Sequence, residues 1–396
     1  MKYYSYLAVT IVLLFAFGCS GERTVQITVT NPSDAERLNE PVVIDYKKLS
    51  SAYAGIKLDK VVIADDAGNI LPTQVDDLNG DGKLDELVFL ADFAQKQTRV
   101  FKCRYPEPGK EPSAQTVHAA IWKKSEENYI PASDVTITDD HQRSDFRYEG
   151  VGWESADIGY RLYLDERNAT DIFGKHQPGF ILDRLGAGRE NYHEARDWGL
   201  DILKVGAARG IGGFGLWQND SIVLPKAVDE HRCRILANGP VRSVIRLDFT
   251  GWQSADANVK VVWFIMAYAG NRETENRLLL SGTADAKAVA VGIVKHPEAP
   301  VSIPNKGRLY TLGAQSIIGD SLMLALAASK DALVKHHESE VDHLLILNLS
   351  ANKPLRYYST AQWQGEPGDM WRQAQTEAHL SALNRRLSQP LQVEYQ

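Results

Sequence analysis

Between Trp153 and Trp217 the chain concentrates side chains that can do chemistry. Five cations (Arg161, Arg167, Arg184, Arg196 and Lys204) are interleaved with six aromatic rings (Trp153, Tyr160, Tyr163, Tyr192, Trp198 and Trp217), and His193 lies among them. A guanidinium takes a carboxylate through two parallel hydrogen bonds. Flat rings serve as platforms for sugars, and an imidazole moves protons near neutral pH. The combination predicts a cleft for an acidic oligosaccharide.

Elimination is the chemistry that fits best. It needs a cation against the substrate carboxylate, a base for the acidified proton, and an acid for the leaving oxygen. In this reading Arg161 or Arg196 is the clamp, His193 the base and Tyr160 or Tyr192 the acid, with Lys204 assisting the enolate. Trp153, Tyr163, Arg167, Arg184, Trp198 and Trp217 then bind substrate. Two other readings stay open. One is hydrolysis or epimerisation; hydrolysis would use two carboxylates flanking a glycosidic bond, drawn from Glu154, Asp165, Asp171 and Asp197. Glycan binding without turnover would need only the platforms. His193, Glu194 and Asp197 have the spacing of a one-turn metal site, but no His-rich partner follows. A salt-bridged surface loop is the plainest alternative.

A second motif is Asp77-Leu78-Asn79-Gly80-Asp81-Gly82-Lys83-Leu84-Asp85-Glu86. Oxygen donors recur at Asp77, Asn79 and Asp81, Gly82 allows the tight turn, the Lys83 carbonyl can contribute, and Asp85 and Glu86 follow. Ca²⁺ takes roughly six to eight such oxygens. The position that would carry the EF-hand glutamate is Val88, and the flanks read as strands, so the expectation is a structural Ca²⁺ loop in a β-hairpin. An Asn-Gly/Asp-Gly hairpin turn with no ion is the alternative. The glycine cluster from Gly206 to Gly215 lacks the G-x-G-x-x-G spacing and a surrounding βαβ unit. It reads as close backbone packing, so no nucleotide cofactor is expected.

The elements that must hold these groups are mostly strands. Val25 to Val29 alternates apolar and polar, and Val42 to Ile44, Val61 to Ile63 and Leu87 to Leu90 are short apolar runs bounded by turns. They predict a small β-sandwich over residues 19–105. Three prolines within 106–113 mark a linker. Over 114–396 long strands recur: Tyr160 to Leu164, Val241 to Phe249, Lys260 to Tyr268, Val289 to Val294, Leu322 to Leu326 and Leu344 to Leu349. Helix is expected at Ala328 to Lys335 and at Met370 to Leu387. The predicted fold class is mainly β, a small N-terminal β-sandwich plus a larger β-supersandwich with a C-terminal helix.

The chain has 396 residues, 44% of them hydrophobic, and a formal net charge of −7. This is globular composition without a long basic run, which argues against a nucleic-acid partner. Lys2 and the apolar run Leu7 to Phe17 are too short to span a bilayer and fit a signal peptide over residues 1–18. Gly18-Cys19 has the form of a lipobox. The expectation is an exported protein tethered to a bacterial membrane, outer membrane or periplasmic face, through lipid on Cys19. A plain secretory signal is the alternative. Cys103 and Cys233 remain, either bridged or as two buried thiols.

Several of these segments, in order, resemble an exported bacterial family. They are Gln74 to Asp92, Gly152-Trp153-Glu154-Ser155, Tyr160 to Gly174, Leu200 to Gly206 and Ala237-Asn238-Gly239-Pro240-Val241-Arg242. The family is domain-of-unknown-function family four-eight-six-one. The resemblance implies company with enzymes that degrade uronic-acid polysaccharides such as pectin and ulvan. The strands from Val241 to His296 also look like a galactose-mutarotase-type supersandwich. No catalytic residues carry over from the family.

Overall fold

The computed structural model describes residues 25–53, 61–104, 116–137, 143–187, 191–226, 228–254, 257–282, 288–349 and 353–395. Residues 1–18, Cys19 and the 106–113 linker lie outside them.

Strand Val25–Thr30 buries Val25, Ile27 and Val29 and turns Gln26 away, the two-residue period of a half-buried strand. It sits between strand Thr98–Arg104 and strand Gln392–Tyr395, with Ile27 opposite both Phe101 and Tyr395. The last strand of the chain therefore completes the first sheet. A three-stranded sheet (Arg37–Asp45, Thr73–Asp76, Glu86–Phe93) closes over it around Ile27, Ile44, Leu87, Phe89 and Phe101. This is the small N-terminal sandwich, with one strand contributed by the far end of the sequence.

The larger unit packs a nine-stranded antiparallel sheet against two others. The nine strands include Glu230–Asn238, Arg242–Ser254, Ala257–Tyr268, Thr274–Gly282 and Leu355–Trp363. Facing them are a six-stranded sheet, with Val117–Ser125, Phe146–Ser155, Ile158–Tyr163, Thr170–Lys175 and Gly199–Asp201, and a five-stranded sheet built on Ile211–Gln218 and Ala288–Val294. One continuous core fills the space between, with Trp153, Tyr160, Phe214, Trp252, Trp263 and Trp363. The two facing sheets meet where Thr170 bridges Gly210. Gly210 has φ +68°, and a Cβ there would stand 1.7 Å from the Thr170 carbonyl oxygen. The glycine cluster is thus the seam between two sheets, where backbones touch.

Helix Gln373–Ser388 buries Leu380 and Leu383 against Tyr310, Met323 and Tyr358. The helix expected at Ala328 to Lys335 is a turn followed by strand Leu333–Glu338, which pairs with Asp342–Asn348. The short apolar run there carries no period that separates helix from strand, and the sheet edge decides.

Cys103 and Cys233 are free and buried in the cores of different units. Burial pushes the Cys103 thiol up to about 12.

The 74–86 motif joins the two sandwiches. Gln74 Oε1 accepts from the backbone N–H groups of Val241 and Arg242 (both 3.0 Å), and its Nε2 donates to the Arg242 carbonyl (2.9 Å) and to Asp76 (2.8 Å). Arg242, fully buried, pairs with Asp76 and Glu86, each at 2.7 Å. Glu86 also meets Arg277 at 3.1 Å. Glu86 is therefore not available to the acidic loop, where the sequence placed it as a metal ligand. A carboxylate beside two guanidiniums belongs to that pair network.

Candidate functional site

Three neighbouring strands of the six-stranded sheet carry one charged constellation on the face away from the main core. Arg161 stands opposite Asp171 across a strand pair, and Asp201 stands opposite Phe173 on the next strand. Arg161 Nη2 lies 2.7 Å from Asp171 Oδ2 and 2.6 Å from Asp201 Oδ2. Its Nη1 donates to the Tyr148 carbonyl (3.2 Å) and the Tyr192 hydroxyl (3.3 Å). The Tyr163 hydroxyl donates to Asp171 Oδ2 at 2.5 Å. Period-two alternation puts Arg161 and Tyr163 on one face and Tyr160 on the other.

Residues 176–187 and 191–198 cover this face as a lid, packing Ile181, Leu182, Leu185 and Trp198 on Phe173 and Tyr148. It is pinned by a buried ion pair. Lys175 Nζ donates to Glu154 Oε2 (2.6 Å) and to the carbonyls of Ser155 and Gly179 (both 2.7 Å), and Glu154 accepts the backbone N–H groups of Ile181 and Leu182. Burial pulls the Lys175 ammonium below its ordinary range.

At the edge of this lid His193 Nδ1 meets Asp201 Oδ2 at 3.0 Å, while its side chain is 57% exposed. The Tyr192 ring stands 4.4 Å from the imidazole. The result is a relay from the buried Arg161, through the buried Asp201 carboxylate, to a histidine open to solvent. The hydrogen bond that His193 donates to Asp201 raises the His193 pKa above its ordinary value. Burial, helped by the neighbouring Asp201 charge, pushes the Asp171 carboxyl up to about 6. Burial opposes the charge on Arg161, but Asp201 and Asp171 outweigh it and hold the guanidinium protonated. Burial also raises Tyr192, which stays a neutral phenol.

The remaining sequence candidates divide. Arg196 borders the site: it is 37% exposed and, among the described residues, its side chain makes long bonds, 3.4 Å to the Asn191 carbonyl and 3.3 Å to Glu194. Arg184 pairs loosely with Asp197 at 3.6 Å, both well exposed. Arg167 is tied to Asp165 at 2.6 Å and lies 3.9 Å from the Tyr163 ring centroid. Lys204 faces solvent.

Four assignments need correction. Trp153 is buried, stacks on Tyr160 and donates to Thr274. Tyr160 donates to the Arg272 carbonyl at 2.8 Å inside the core, so its proton is committed. Trp198 is 1% exposed and offers no platform. Trp217 lies on the five-stranded sheet against His337 and Lys335, away from the relay. Strands buried on both faces place aromatic rings in the core, which local sequence does not distinguish from a cleft wall. Arg161 does converge on the site, but as a buried support rather than an open clamp.

Among the hydrolysis candidates, Glu154, Asp165 and Asp171 are each held by a cation. Two features of this region had no assigned role in the sequence. Asp201, 8 residues after His193, reaches it only because strand Gly199–Asp201 folds back beside the lid. A groove of about 620 Å³ at the sheet edge is lined by His118, Trp122, Asp183 and Asn238. Its partners are 65 and 120 residues apart, a separation that carries no local signal.

In the acidic loop, Asp77 accepts the backbone N–H groups of Asn79, Gly80 and Gly82, Asn79 accepts that of Asp81, and Asp81 accepts that of Lys83. Asp85 accepts from Leu78 N and from the Asn79 amide. Among the described residues no three His, Cys, Asp or Glu side chains stand together as a metal site.

The fold and site define a mainly β protein with an Asp-supported histidine on the outer face of a sandwich. The chain belongs to the family described as domain of unknown function DUF4861, whose family model matches residues 29–393. It is 22% identical over 388 residues to uncharacterized protein P7 of Formosa agariphila, covering 93% of each chain. Among solved structures it is similar to a protein in glycosyl hydrolase family 38 from Enterococcus faecalis, at 8% identity and TM-score 0.49, over 95% of this chain and 48% of that one. It is also similar to an alpha-mannosidase from Enterococcus faecalis V583, at 8% identity and TM-score 0.45, over 95% of this chain and 46% of that one. The chain spans about half the length of those two proteins, and likeness at this level says nothing about activity.

Proposed function

We propose that this protein acts on uronic-acid-containing oligosaccharides by β-elimination, as a lyase or dehydratase. The observation that carries the reading is the 3.0 Å contact between the exposed His193 and the buried Asp201. A carboxylate on Nδ1 fixes the tautomer that leaves Nε2 unprotonated and facing out, the arrangement of a general base.

The reaction would run as follows. His193 Nε2 takes the proton on the carbon next to the substrate carboxylate. The electrons of that C–H bond form the carbon–carbon double bond as the β-carbon–oxygen bond breaks. The Tyr192 hydroxyl accepts from Arg161 and has no acceptor of its own among the described residues, so it can protonate the leaving oxygen. Arg196, weakly held beside Asn191, would meet the substrate carboxylate, with Arg184 and Lys204 as further cations near or on the surface. Arg161 supports Asp201 and does not touch substrate.

Incubation with pectin- and ulvan-derived oligosaccharides tests this by ultraviolet absorbance and mass. Elimination yields an absorbing, unsaturated product. Saturated products would instead mean hydrolysis, and binding without turnover would mean a glycan-binding protein. Three further proposals rest on the sequence. Lipid attachment at Cys19 is tested by fatty-acid labelling of Cys19→Ser against wild type. Export to the bacterial envelope is tested by cell fractionation. Ca²⁺ on the Asp77–Asp85 loop is tested by adding Ca²⁺ to chelator-treated protein, where an unchanged Tm removes it.

A further inference from the structure

The geometry points to a second subsite, a groove that takes a neutral sugar residue of the same oligosaccharide whose uronic acid sits at His193. It rests on the proposed action on acidic oligosaccharides. The groove exists because two sheet edges lose their partners at the same place. Strand Glu230–Asn238 pairs with Asp134–Ile137 only as far as Arg234, and strand Val117–Ser125 pairs with Asn128–Ala132 only from Ile121 onward. Beyond those points the edges face each other across the gap of about 620 Å³, within the roughly 300–1,000 Å³ of small-molecule sites. A bulge between Ile235 and Ala237 bends one wall.

The walls are built for hydroxyl groups. Asn238 closes one end like a short strand, accepting from Ala119 N and donating to Ala119 O, both at 2.9 Å. Its amide also lies 3.3 Å from His118 Nδ1, and His118 Nε2 lies 3.0 Å from Asp183 Oδ1. If the Asn238 amide donates, His118 carries its proton on Nε2 and gives it to Asp183. Asp183 is 65% exposed and keeps acceptor capacity toward the groove. Trp122 lines the wall, but its Nε1 is buried with no acceptor among the described residues and lies out of a ligand's reach. No Lys or Arg is among the described lining residues, and Asp183 repels a carboxylate. A neutral, hydroxylated ring supplies the donor for Asp183 and brings no charge for it to repel.

The same lid borders both sites. Arg147 stacks on Trp122 at 3.9 Å. A Cβ on Gly186 would meet Arg147 at 3.3 Å and the Tyr192 ring at 3.6 Å. Asp183 faces the groove, and the next residue, Arg184, pairs with Asp197 near His193. A chain of alternating uronic acid and neutral sugar would lie along this lid.

Calorimetric binding to His193→Ala protein tests the groove without turnover. The probes are an alternating galacturonate–rhamnose tetrasaccharide and tetragalacturonate. The alternating probe should bind more tightly. Ser133→Trp, at an exposed position on the mouth, should weaken it about tenfold by filling the gap, and Asp183→Ala by a similar factor through loss of the acceptor. Both variants should change tetragalacturonate affinity less than twofold. Equal affinity for the two probes, or equal loss for both in Ser133→Trp, overturns the subsite. Loss confined to the alternating probe, with wild-type protein forming no unsaturated product from it, would keep the groove and discard the elimination chemistry.

Discussion

His193 and Asp201 form an open–buried pair: Nδ1 and Oδ2 are 3.0 Å apart, with the imidazole 57% and the carboxylate 4% exposed. The carboxylate is buried beside Arg161, so its orientation is set by the sheet, while the imidazole keeps one nitrogen toward solvent. The hydrogen bond raises the His193 pKa. A histidine whose pKa is raised by folding adds stability below its unfolded value, near 6.5, and loses that contribution as pH climbs through the folded value. NMR titration should therefore find His193 above 6.5 in the wild type and lower in Asp201→Asn. An unchanged midpoint in Asp201→Asn would break the pair.

As a base His193 must be neutral. The acid limb of kcat/KM should follow the same raised pKa and move to lower pH in Asp201→Asn, with a lower plateau. A pH–rate profile checks this.

Arg161→Met leaves Asp171 and Asp201 buried without their cation. The expected cost is about 3–5 kcal/mol, measured by urea unfolding. Asp171→Asn in the same protein should recover part of it, because it removes one of the two stranded charges. Equal stability of Arg161→Met and wild type would contradict the support role.

Much of this arrangement was legible in the sequence, and some was not. Alternation in Ile158–Tyr163 correctly put Arg161 and Tyr163 on one face, because a strand's period is local. Density of function around His193 was visible for the same reason. The partners were not: Asp171 and Asp201 are brought in by strand pairing, and Gln74 meets Arg242 across 168 residues. The aromatic residues misled because Trp153 and Trp198 pack between layers, and burial is a property of the sheet rather than of the residue. The acidic run over 77–86 splits between a self-bonded loop and the Glu86–Arg242 pair for the same reason.

Lys175 and Glu154 offer a separate check on the lid. Lys175→Met or Glu154→Gln alone should cost about 3–5 kcal/mol by leaving one group buried and unpaired. The double variant should cost clearly less than the sum. Protease cleavage within the lid should speed up in the single variants. Additive costs would show that the two groups are not a pair.

Gln74 and Arg242 hold the two sandwiches together. Arg242→Ala strands Asp76 at the joint and leaves Glu86 with Arg277 alone. Calorimetry should resolve one unfolding transition in the wild type and two in Arg242→Ala, as the units uncouple. A single transition at the wild-type temperature would contradict this.

The central claim is that His193 takes a proton from an acidic sugar. The most direct measurement is the initial rate of ultraviolet-absorbing product from uronic-acid oligosaccharides, wild type against His193→Gln, with circular dichroism to confirm that both are folded. The account predicts a loss of about 10²–10⁴-fold in the variant. A folded His193→Gln protein that forms the unsaturated product at the wild-type rate would contradict it.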